Sequence, residues 1–256
     1  MHNLRKLLRQ IQFEQRAFWR NPASAVFTFV FPVIILVVLG NVNSHAHFRV
    51  GAHSYTYDDY LAPAMSAYGI ISATFVSLAM ILSIRRDSGV LKRFQGTPLG
   101  STMFIVSILI SSLINVIIMM VLTIGLGMIS LGVHFPANML ETVAIMLFGA
   151  VCFAGLGVAM AAFIPNSDAA PAIVNGIFFP IAFISGIFFP ISSTSILGRI
   201  GNFFPISHYS TAVFDAYNPI GTAPSVAGSD VLILAVWGLV GILFAIRRFK
   251  WEPSRR

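Results

Sequence analysis

Long apolar stretches separated by short polar ones run through the whole chain. Six of these stretches are long enough to cross a bilayer, because a hydrocarbon core of about 30 Å needs a helix of roughly 20 residues. They cover residues 23–40, 61–84, 103–131, 139–163, 169–189 and 229–247. The pattern predicts an all-α integral membrane protein with six transmembrane helices, which form a single transmembrane domain over residues 1–256.

A basic amphipathic stretch precedes the first apolar one. Over residues 3–20, leucine, isoleucine and phenylalanine recur on one helical face, and arginines occupy the rest. This pattern is typical of a helix that lies in the membrane interface, with Phe18 and Trp19 at the level of the headgroups. An anchor without any further role is the alternative interpretation.

The amino-acid composition agrees with a bilayer environment. Hydrophobic residues make up 57% of the 256 positions and charged residues only 10%, which is too little charge to cover a soluble protein of this size. The single cysteine, Cys152, excludes a disulfide within the chain. The net charge of +7 does not favour a nucleic-acid partner, because the basic residues lie at the ends of the apolar stretches.

The distribution of arginine and lysine predicts the orientation in the membrane. Of the 16 basic residues, 14 lie before the first apolar stretch, between the second and the third, or at the C-terminus. Arg49 and Arg199 are the two exceptions. By the positive-inside rule, the basic side is cytoplasmic. We therefore expect a multi-pass protein of the cell inner or plasma membrane with both termini in the cytoplasm.

Common motifs for nucleotide binding and hydrolysis do not occur in the sequence. None of the three lysines, Lys6, Lys92 and Lys250, follows a glycine, which excludes the phosphate-binding loop GxxxxGK[ST]. The metalloprotease motif HExxH and the serine-hydrolase motif GxSxG do not occur either. We expect a protein that is not an enzyme and holds no cofactor, so that any energy source lies in another chain.

Histidines and aspartates before the second apolar stretch form the one cluster that resembles a set of metal ligands. His45, His47 and His53 precede Asp58 and Asp59, but their spacing matches no rigid metal site. A solvated outer loop explains these polar residues better. We expect no metal site, and the role of the three histidines stays open.

Ionisable residues are almost absent from the apolar stretches, which disfavours an ion-driven or proton-driven carrier. The other polar residues in these stretches are uncharged. Ser107, Ser111 and Asn115 recur every four residues on one face of the third stretch, and Asn175 and Phe179 lie in the fifth. Two interpretations are open: a lining for the path of an amphipathic substrate, or hydrogen bonds between helices, of which the second is favoured.

Repeated prolines interrupt the fifth apolar stretch. The tetrapeptide FFPI occurs at residues 178–181 and again at residues 188–191. Pro180 is predicted to kink the fifth helix and Pro190 to end it, because proline lacks the N–H that a helix interior requires. Gly186 lies between the two prolines. Together they are candidate gating residues.

FFPI returns at residues 203–206, inside a segment that is too short and too polar to cross the membrane. We predict that residues 191–217 form short helices that dip back into the outer leaflet as a re-entrant hairpin, with Pro205 closing its first arm. An ordinary kinked helix followed by a surface loop is the alternative.

The polar loop RRDSGVLKRFQGTPLG, residues 85–100, is predicted to form a short amphipathic helix. It resembles the loop of type-2 ATP-binding-cassette (ABC) exporter permeases, which reads Glu-x-Glu-x-Gly-Thr-Leu-(Glu/Lys)-Arg-Leu followed by Thr-Pro-Leu. The matching positions are Asp87, Gly89, Leu91, Lys92, Arg93, Thr97, Pro98 and Leu99. The basic N-terminal helix, the six stretches and the segment from Pro205 to Tyr209 extend the resemblance to the whole chain.

Three positions of the loop depart from the family pattern. Arg85 occupies the position of the first acid, Asp87 stands in place of the second glutamate, and Val90 replaces the usual threonine. A salt bridge made by that first acid cannot be carried over to this chain.

The resemblance implies the membrane subunit of a drug-resistance or antibiotic-export system that performs multidrug efflux. It implies two cytoplasmic ABC ATPase subunits, which bind ATP and Mg, and a homodimer or a pair with a related permease. It assigns residues 85–100 to the coupling helix that docks on the ATPase, with residues 3–20 and 164–168 beside it. Export of a polysaccharide or glycolipid, a scaffold without transport and a membrane-embedded enzyme are the alternative functions.

Overall fold

A computed structural model describes residues 2–43, 46–50, 53–95, 100–192, 194–217 and 226–249. Nearly all of this part is helical. The helices are α1 (His2–Trp19), α2 (Pro22–Ala25), α3 (Phe31–Asn43), α4 (Tyr57–Ile71), α5 (Ser77–Asp87), α6 (Val90–Gln95), α7 (Gly100–Leu131), α8 (Met139–Phe163), α9 (Ala170–Ile184), α10 (Ile196–Gly201), α11 (Pro205–Tyr217) and α12 (Gly228–Arg248). Two π-helical segments, π1 (Val26–Val30) and π2 (Ser72–Val76), lead into α3 and α5.

Five continuous helical stretches in the described part are long and apolar enough to cross a membrane. They are Val26–Asn43, Tyr57–Asp87, Met103–Leu131, Met139–Phe163 and Gly228–Arg248. Each contains one of the predicted stretches or most of it. The predicted fifth stretch, residues 169–189, corresponds to α9, which has only 15 residues. The helical membrane class is therefore confirmed, and the predicted number of six spans stays a prediction.

The predicted end of the fifth helix is wrong by several residues. α9 continues in α-helical conformation through Pro180 and ends at Ile184, where the Ser185 N–H donates to the Ile181 carbonyl oxygen at 3.0 Å. Gly186 follows with φ of 77°, in the left-handed region that glycine occupies without steric cost. The helix thus ends before Pro190 is reached.

The stretch α4–π2–α5 is the centre of the bundle. In the most apolar part of this span, 72% of the residues are buried in the protein, whereas the corresponding fraction is 28% for the first span and 22% for the last. α3, α7, α8, α9 and α11 pack around it. Any movement of this span therefore reaches most of the other helices.

The two π-segments contact each other inside the bundle. The Ser72 hydroxyl lies 3.5 Å from the Phe27 carbonyl oxygen and donates to it. α8 approaches π2 from the other side at Gly157, where a Cβ atom would lie 2.8 Å from the Phe75 carbonyl oxygen. Because π-helical turns are rare and occur often at functional sites, this contact marks a candidate site.

A β-hairpin precedes α4 and is the only β-structure among the described residues. Its strands, β1 (His47–Val50) and β2 (His53–Thr56), pair antiparallel with His47 opposite Thr56. The hairpin lies in the loop that we predicted to be solvated. His45 falls outside the described residues, and the described residues contain no group of three metal-ligating side chains.

The segment predicted as a re-entrant hairpin forms two helices, α10 and α11. Pro205 is the first residue of α11 and does not close the first arm, because the first turn of a helix needs no N–H from it. α11 packs against α4, α8, α9 and α12, and most of its residues are buried. This excludes the alternative of a surface loop, and the depth of the two helices in the bilayer stays a prediction.

Candidate functional site

Basic side chains gather at one end of the bundle, which we call the basic end. It comprises α1, the end of α5 with α6, the loop of residues 164–169 between α8 and α9, and the end of α12. The opposite end, called the hairpin end, comprises the β-hairpin, the turn of residues 185–190, α10 and α11.

An ion pair joins α1 to the end of α5. The Arg85 guanidinium donates two hydrogen bonds to Glu14, from Nη1 to Oε1 at 2.9 Å and from Nη2 to Oε2 at 2.6 Å. The Glu14 side chain is only 3% exposed, and Gln10 donates to the same carboxylate at 2.7 Å. Arg85 also lies over the Phe104 ring, 5.5 Å from its centroid. A bidentate arginine–carboxylate pair fixes both distance and direction, so α1 is oriented by α5.

Glu14 was not among the residues predicted from the sequence. A signal was nevertheless present, since Glu14 is the only acidic residue before Asp58. It supplies a carboxylate next to Arg85, the position at which the chain carries a base in place of the family's acid. The base at position 85 is thus neutralised by an acid on α1.

Arg86 joins α5 to the end of α8. Its guanidinium, buried within the protein, donates to the carbonyl oxygens of Ala161 at 2.9 Å and Ile164 at 2.5 Å. The last carbonyl groups of a helix have no partner within the helix, and a cation there also matches the helix dipole. Arg86 therefore caps α8.

Asp87 binds the loop between α8 and α9 a few residues beyond the contacts of Arg86. Its Oδ2 atom accepts a hydrogen bond from the Ser167 backbone N–H at 2.5 Å, and its Oδ1 atom lies 3.5 Å from Nε of Arg86. The adjacent residues Arg86 and Asp87 at the end of α5 thus bind the loop between α8 and α9 at two points, Ile164 and Ser167. The prediction that residues 164–168 lie beside the loop of residues 85–100 agrees with these contacts.

α6 is seated on the bundle by its apolar side. Gly89 makes the turn out of α5 with φ of 71°, where a residue with a Cβ would be strained. Leu91 is completely buried among Leu78, Leu82 and Phe104. The expectation that the Leu91 side chain docks on a partner is corrected, because this side chain holds α6 to its own chain.

The surface of α6 is positively charged. Lys92 and Arg93 are exposed, so these two predicted coupling residues lie where a partner could contact them. Pro98, the last predicted coupling residue, falls outside the described residues. The geometry thus separates an internal anchor, Leu91, from an external basic surface.

The polar residues of α7 are buried inside the protein. Ser107 donates to the Phe104 carbonyl oxygen of its own helix at 2.7 Å. Ser111 receives a hydrogen bond from Gln15 of α1 at 3.0 Å, and its carbonyl oxygen receives another at 2.8 Å. Oδ1 of the buried Asn115 has no hydrogen-bond partner. For Ser111 the contact between helices, the favoured interpretation, is therefore observed.

A cavity of about 240 Å³ lies between the turn after α1, π1, π2, α5 and α9. We call it the π cavity. Asn175 lines it, and Phe179 one turn further along α9 packs against Phe31 at 6.1 Å between ring centroids. The polar side chains in its wall are Asn21, Thr28, Ser72, Ser77 and Asn175, and no charged side chain of the described residues contributes. Of the predicted path residues, only Asn175 belongs to this cavity.

Tyrosines fix the hairpin end through backbone carbonyl groups. Tyr57 donates to the Phe188 carbonyl oxygen at 2.5 Å, and Tyr60 donates to that of Gly186. Both contacts hold the turn that follows α9. In this way the turn with Gly186 and Pro190, two of the candidate gating residues, is bound to the central span.

α11 is held to α8 at the same end. The fully buried Tyr209 donates to the Met146 carbonyl oxygen at 3.1 Å, and its ring lies against Gly149. A Cβ atom at Gly149 would come within 2.0 Å of that ring. The absence of a side chain at Gly149 is thus what allows α11 to pack closely.

Titratable groups link α11 to the start of α12. His208 contacts Asp230 through Nδ1 at 2.5 Å and the Asn202 carbonyl oxygen through Nε2 at 2.8 Å. Burial, and then the negative charges of Asp230 and Glu141, raise the pKa of Asp215 to about 6. This group of titratable residues was not predicted from the sequence, because its members lie on separate helices, α8, α11 and α12.

These features define a class of protein: a multi-pass helical membrane protein whose basic end is held together by ion pairs and hydrogen bonds of charged side chains. The sequence profile of the ABC-2 type transporter family matches residues 6–217, which is most of the chain. The chain belongs to this family of permeases, whose members work with ABC ATPase partners. No curated protein matches the chain significantly.

Proposed function

We propose that this chain is the membrane permease subunit of an ATP-driven exporter and that its basic end faces the cytoplasm. The positive-inside rule supports this orientation. The observation that carries the proposal is the set of contacts made by Arg85, Arg86 and Asp87. They tie α1 and the loop between α8 and α9 to the span that carries α6.

Two ABC ATPase subunits, which bind ATP and Mg, supply the energy in this proposal. Their movement reaches the exposed Lys92 and Arg93 on α6. Because Leu91 seats α6 on α5 and α7, the displacement passes to the central span as a rigid-body movement. ATP performs work only through contacts that differ between the ATP-bound and ATP-free states.

The π cavity is the proposed site of the transported molecule. Its wall is apolar apart from hydroxyl and amide groups, which suits the uncharged part of an amphipathic or drug-like molecule. A charged group would lose its hydration there without gaining a partner. Because Ser72 and Val76 of π2 line the cavity, a movement of the central span changes its shape.

Release takes place at the hairpin end in this proposal. The turn with Gly186 and Pro190 follows the far end of α9, and α11, which begins at Pro205, packs against α9. Pro180 is exposed on α9. A second copy of the chain, or a related permease, completes the path as the other half of a dimer.

Substitution of Arg93 by glutamate tests the proposal. The exporter is reconstituted from this chain and its cognate ABC ATPase, and ATP-driven efflux of a panel of amphipathic dyes is measured. Reversal of an exposed charge on α6 should reduce efflux and dye-stimulated ATP hydrolysis at least about tenfold, because about 1.4 kcal/mol of contact energy suffices for this.

Arg199→Glu is the matched control, since Arg199 is exposed at the hairpin end. It should leave ATP-driven efflux unchanged. Both variants should insert into the membrane in normal amounts. Unchanged efflux in Arg93→Glu would contradict the assignment of α6, and ATP-independent efflux by the chain alone would contradict the proposed function.

A further inference from the structure

A second cavity lies between α7, α8 and α12, on the other side of the central span. Its volume is about 450 Å³, and we call it the α7–α8–α12 groove. Its wall is apolar, with Leu109 on α7, Val151 on α8 and Ile242 on α12. Three membrane-crossing helices form it, so the hydrocarbon core of the bilayer surrounds its opening.

The groove has little polar chemistry of its own. Among the described residues, Thr74 and Ser112 are the only ones in its wall that bear a hydroxyl group, and the Thr74 hydroxyl donates to the Ile70 carbonyl oxygen of its own span at 2.7 Å. No charged side chain in the part of the chain that the structure describes lines the groove. A concave apolar site of this kind binds hydrocarbon and excludes polar ligands.

One end of the groove leads to the basic end of the bundle. Phe249 lines it and packs on the same apolar cluster as Leu91 of α6. Arg247 and Arg248 are exposed and directly follow Ala245 and Ile246, which also line the groove. Arginine side chains are long enough to place their charges at the level of the headgroups while their stems cover apolar surface.

We propose that the α7–α8–α12 groove binds an acyl chain of one anionic phospholipid, whose phosphate contacts Arg247 and Arg248. An apolar groove that ends in cations complements the two parts of such a lipid. Basic sites between helices on the cytoplasmic side are typical places for anionic headgroups.

The bound lipid contacts the element that also lines the π cavity. Thr74 of π2 faces the groove, whereas Ser72 and Val76 of the same segment face the π cavity. A lipid in the groove therefore supports π2 from one side. Lipid binding itself requires no transport and is measured independently of the proposed function.

Native mass spectrometry of the full-length chain in detergent tests the site. The probes are phosphatidylglycerol and phosphatidylcholine with identical acyl chains. We expect one phosphatidylglycerol to be retained per chain in preference to phosphatidylcholine. Substitution of Arg247 and Arg248 by glutamine should weaken its binding by about fivefold for each arginine, since one basic residue near a headgroup contributes about 1 kcal/mol.

Removal of the same number of charges elsewhere is the control for the headgroup. Arg5 and Arg9 are exposed on α1, and the double variant Arg5→Gln/Arg9→Gln should bind phosphatidylglycerol normally. If this variant loses the lipid to the same extent as the Arg247/Arg248 variant, the proposed headgroup contact is overturned. Equal retention of both phospholipids would show annular lipid only and would also overturn it.

Filling the groove tests the acyl-chain contact. Val151, which lines the groove, is 52% exposed, and Val236, which does not, is 53% exposed. Val151→Trp should abolish retention of the lipid, whereas Val236→Trp should not. Equal retention in the two variants would overturn the site. Disulfide formation between Val151→Cys copies in a Cys152→Ser background would show that a second chain covers the groove, which would overturn it as well.

Discussion

The basic end and the hairpin end of the bundle are held together by different chemistry. At the basic end, Glu14, Arg85, Arg86 and Asp87 make ionic and charge-assisted hydrogen bonds to α1 and to the loop between α8 and α9. At the hairpin end, neutral tyrosine hydroxyl groups donate to backbone carbonyl oxygens, as Tyr57 does to Phe188, and the ionisable contacts pair aspartate with histidine, as in Asp230–His208.

The difference follows from what each kind of contact requires. Charged pairs are strong and directional, but each partner depends on the other, because an uncompensated buried charge is very unfavourable. Tyrosines anchor a turn by packing and by one neutral hydrogen bond, and the loss of that bond costs about 1–3 kcal/mol, which is less than the cost of leaving a buried charge unpaired. We therefore expect substitutions at the basic end to be more disruptive than those at the hairpin end.

Arg86→Met should have the largest effect. It removes the cap of α8 and leaves Asp87 without its neighbouring cation. We expect a loss of about 3–5 kcal/mol in the free energy of unfolding, as is typical when one partner of a buried charged contact is removed. Thermal unfolding of the purified chain in detergent measures it.

The exposed Arg93 offers the matched control for this substitution. Arg93→Met should change the free energy of unfolding by less than about 0.5 kcal/mol, as is usual at exposed positions. Similar melting temperatures for the Arg86 and Arg93 variants would mean that the contacts of Arg86 contribute little to the basic end.

Exchange of the charges between Glu14 and Arg85 sharpens the comparison. Each single variant, Glu14→Arg or Arg85→Glu, should lose about 1.5–3 kcal/mol, because a charge-assisted hydrogen bond is replaced by repulsion. The double variant should regain a large part of this loss, since the pair would be restored with opposite polarity. A double-mutant cycle of unfolding free energies measures the coupling, and additive effects would contradict a direct contact.

A methyl group at Gly149 tests how tightly the hairpin end is packed. Gly149→Ala places an atom against the Tyr209 ring and should cost about 1–3 kcal/mol through overpacking. Gly125→Ala is the control, because no atom outside its own helix backbone lies within 4 Å of the new Cβ. Equal unfolding temperatures for the two variants would show that α11 moves away from α8 without cost.

The smallest effect is expected at Asp215 and depends on pH. Burial and neighbouring carboxylates raise the pKa of Asp215 from 3.8 to about 6, so ionisation of this group destabilises the folded chain as the pH rises through this range. Asp215→Asn should therefore be more stable than the native chain at pH 8, by less than about 1 kcal/mol because solvent screens the partly exposed charge. The advantage should disappear at pH 4. A difference that is constant from pH 4 to pH 8 would contradict this explanation.

Most of the helical framework could be predicted from the sequence. The helix α8 has the predicted bounds, residues 139–163, and the other four membrane-crossing stretches contain most or all of the predicted residues. The physical reason is simple: a backbone in a bilayer has to satisfy its own hydrogen bonds, so a long apolar stretch has few conformations other than a helix. The family resemblance found in residues 85–100 agrees with the profile match over residues 6–217.

The candidate site could be predicted only in part. Asn175 lines the π cavity, and its role in a substrate path stays a prediction, whereas Leu91 is buried and Ser111 bonds to α1. The partner of Arg85, Glu14, is 71 residues away in the sequence. Which helix faces which depends on packing over such separations, and a periodic pattern reports only that a face exists.

The three copies of FFPI illustrate the same limit. The first copy lies inside α9, and the second lies in the turn where Tyr57 binds the Phe188 carbonyl oxygen. The third copy leads into α11, whose first residue is Pro205. The amino-acid sequence alone determined that the backbone lacks one N–H group at the proline of each FFPI copy and that the neighbouring residues are apolar. Tertiary contacts decided whether each copy lies inside a helix, in a turn or at the start of a helix. The reason is that the conformation around a proline depends on which partners satisfy the hydrogen-bonding groups of the neighbouring backbone.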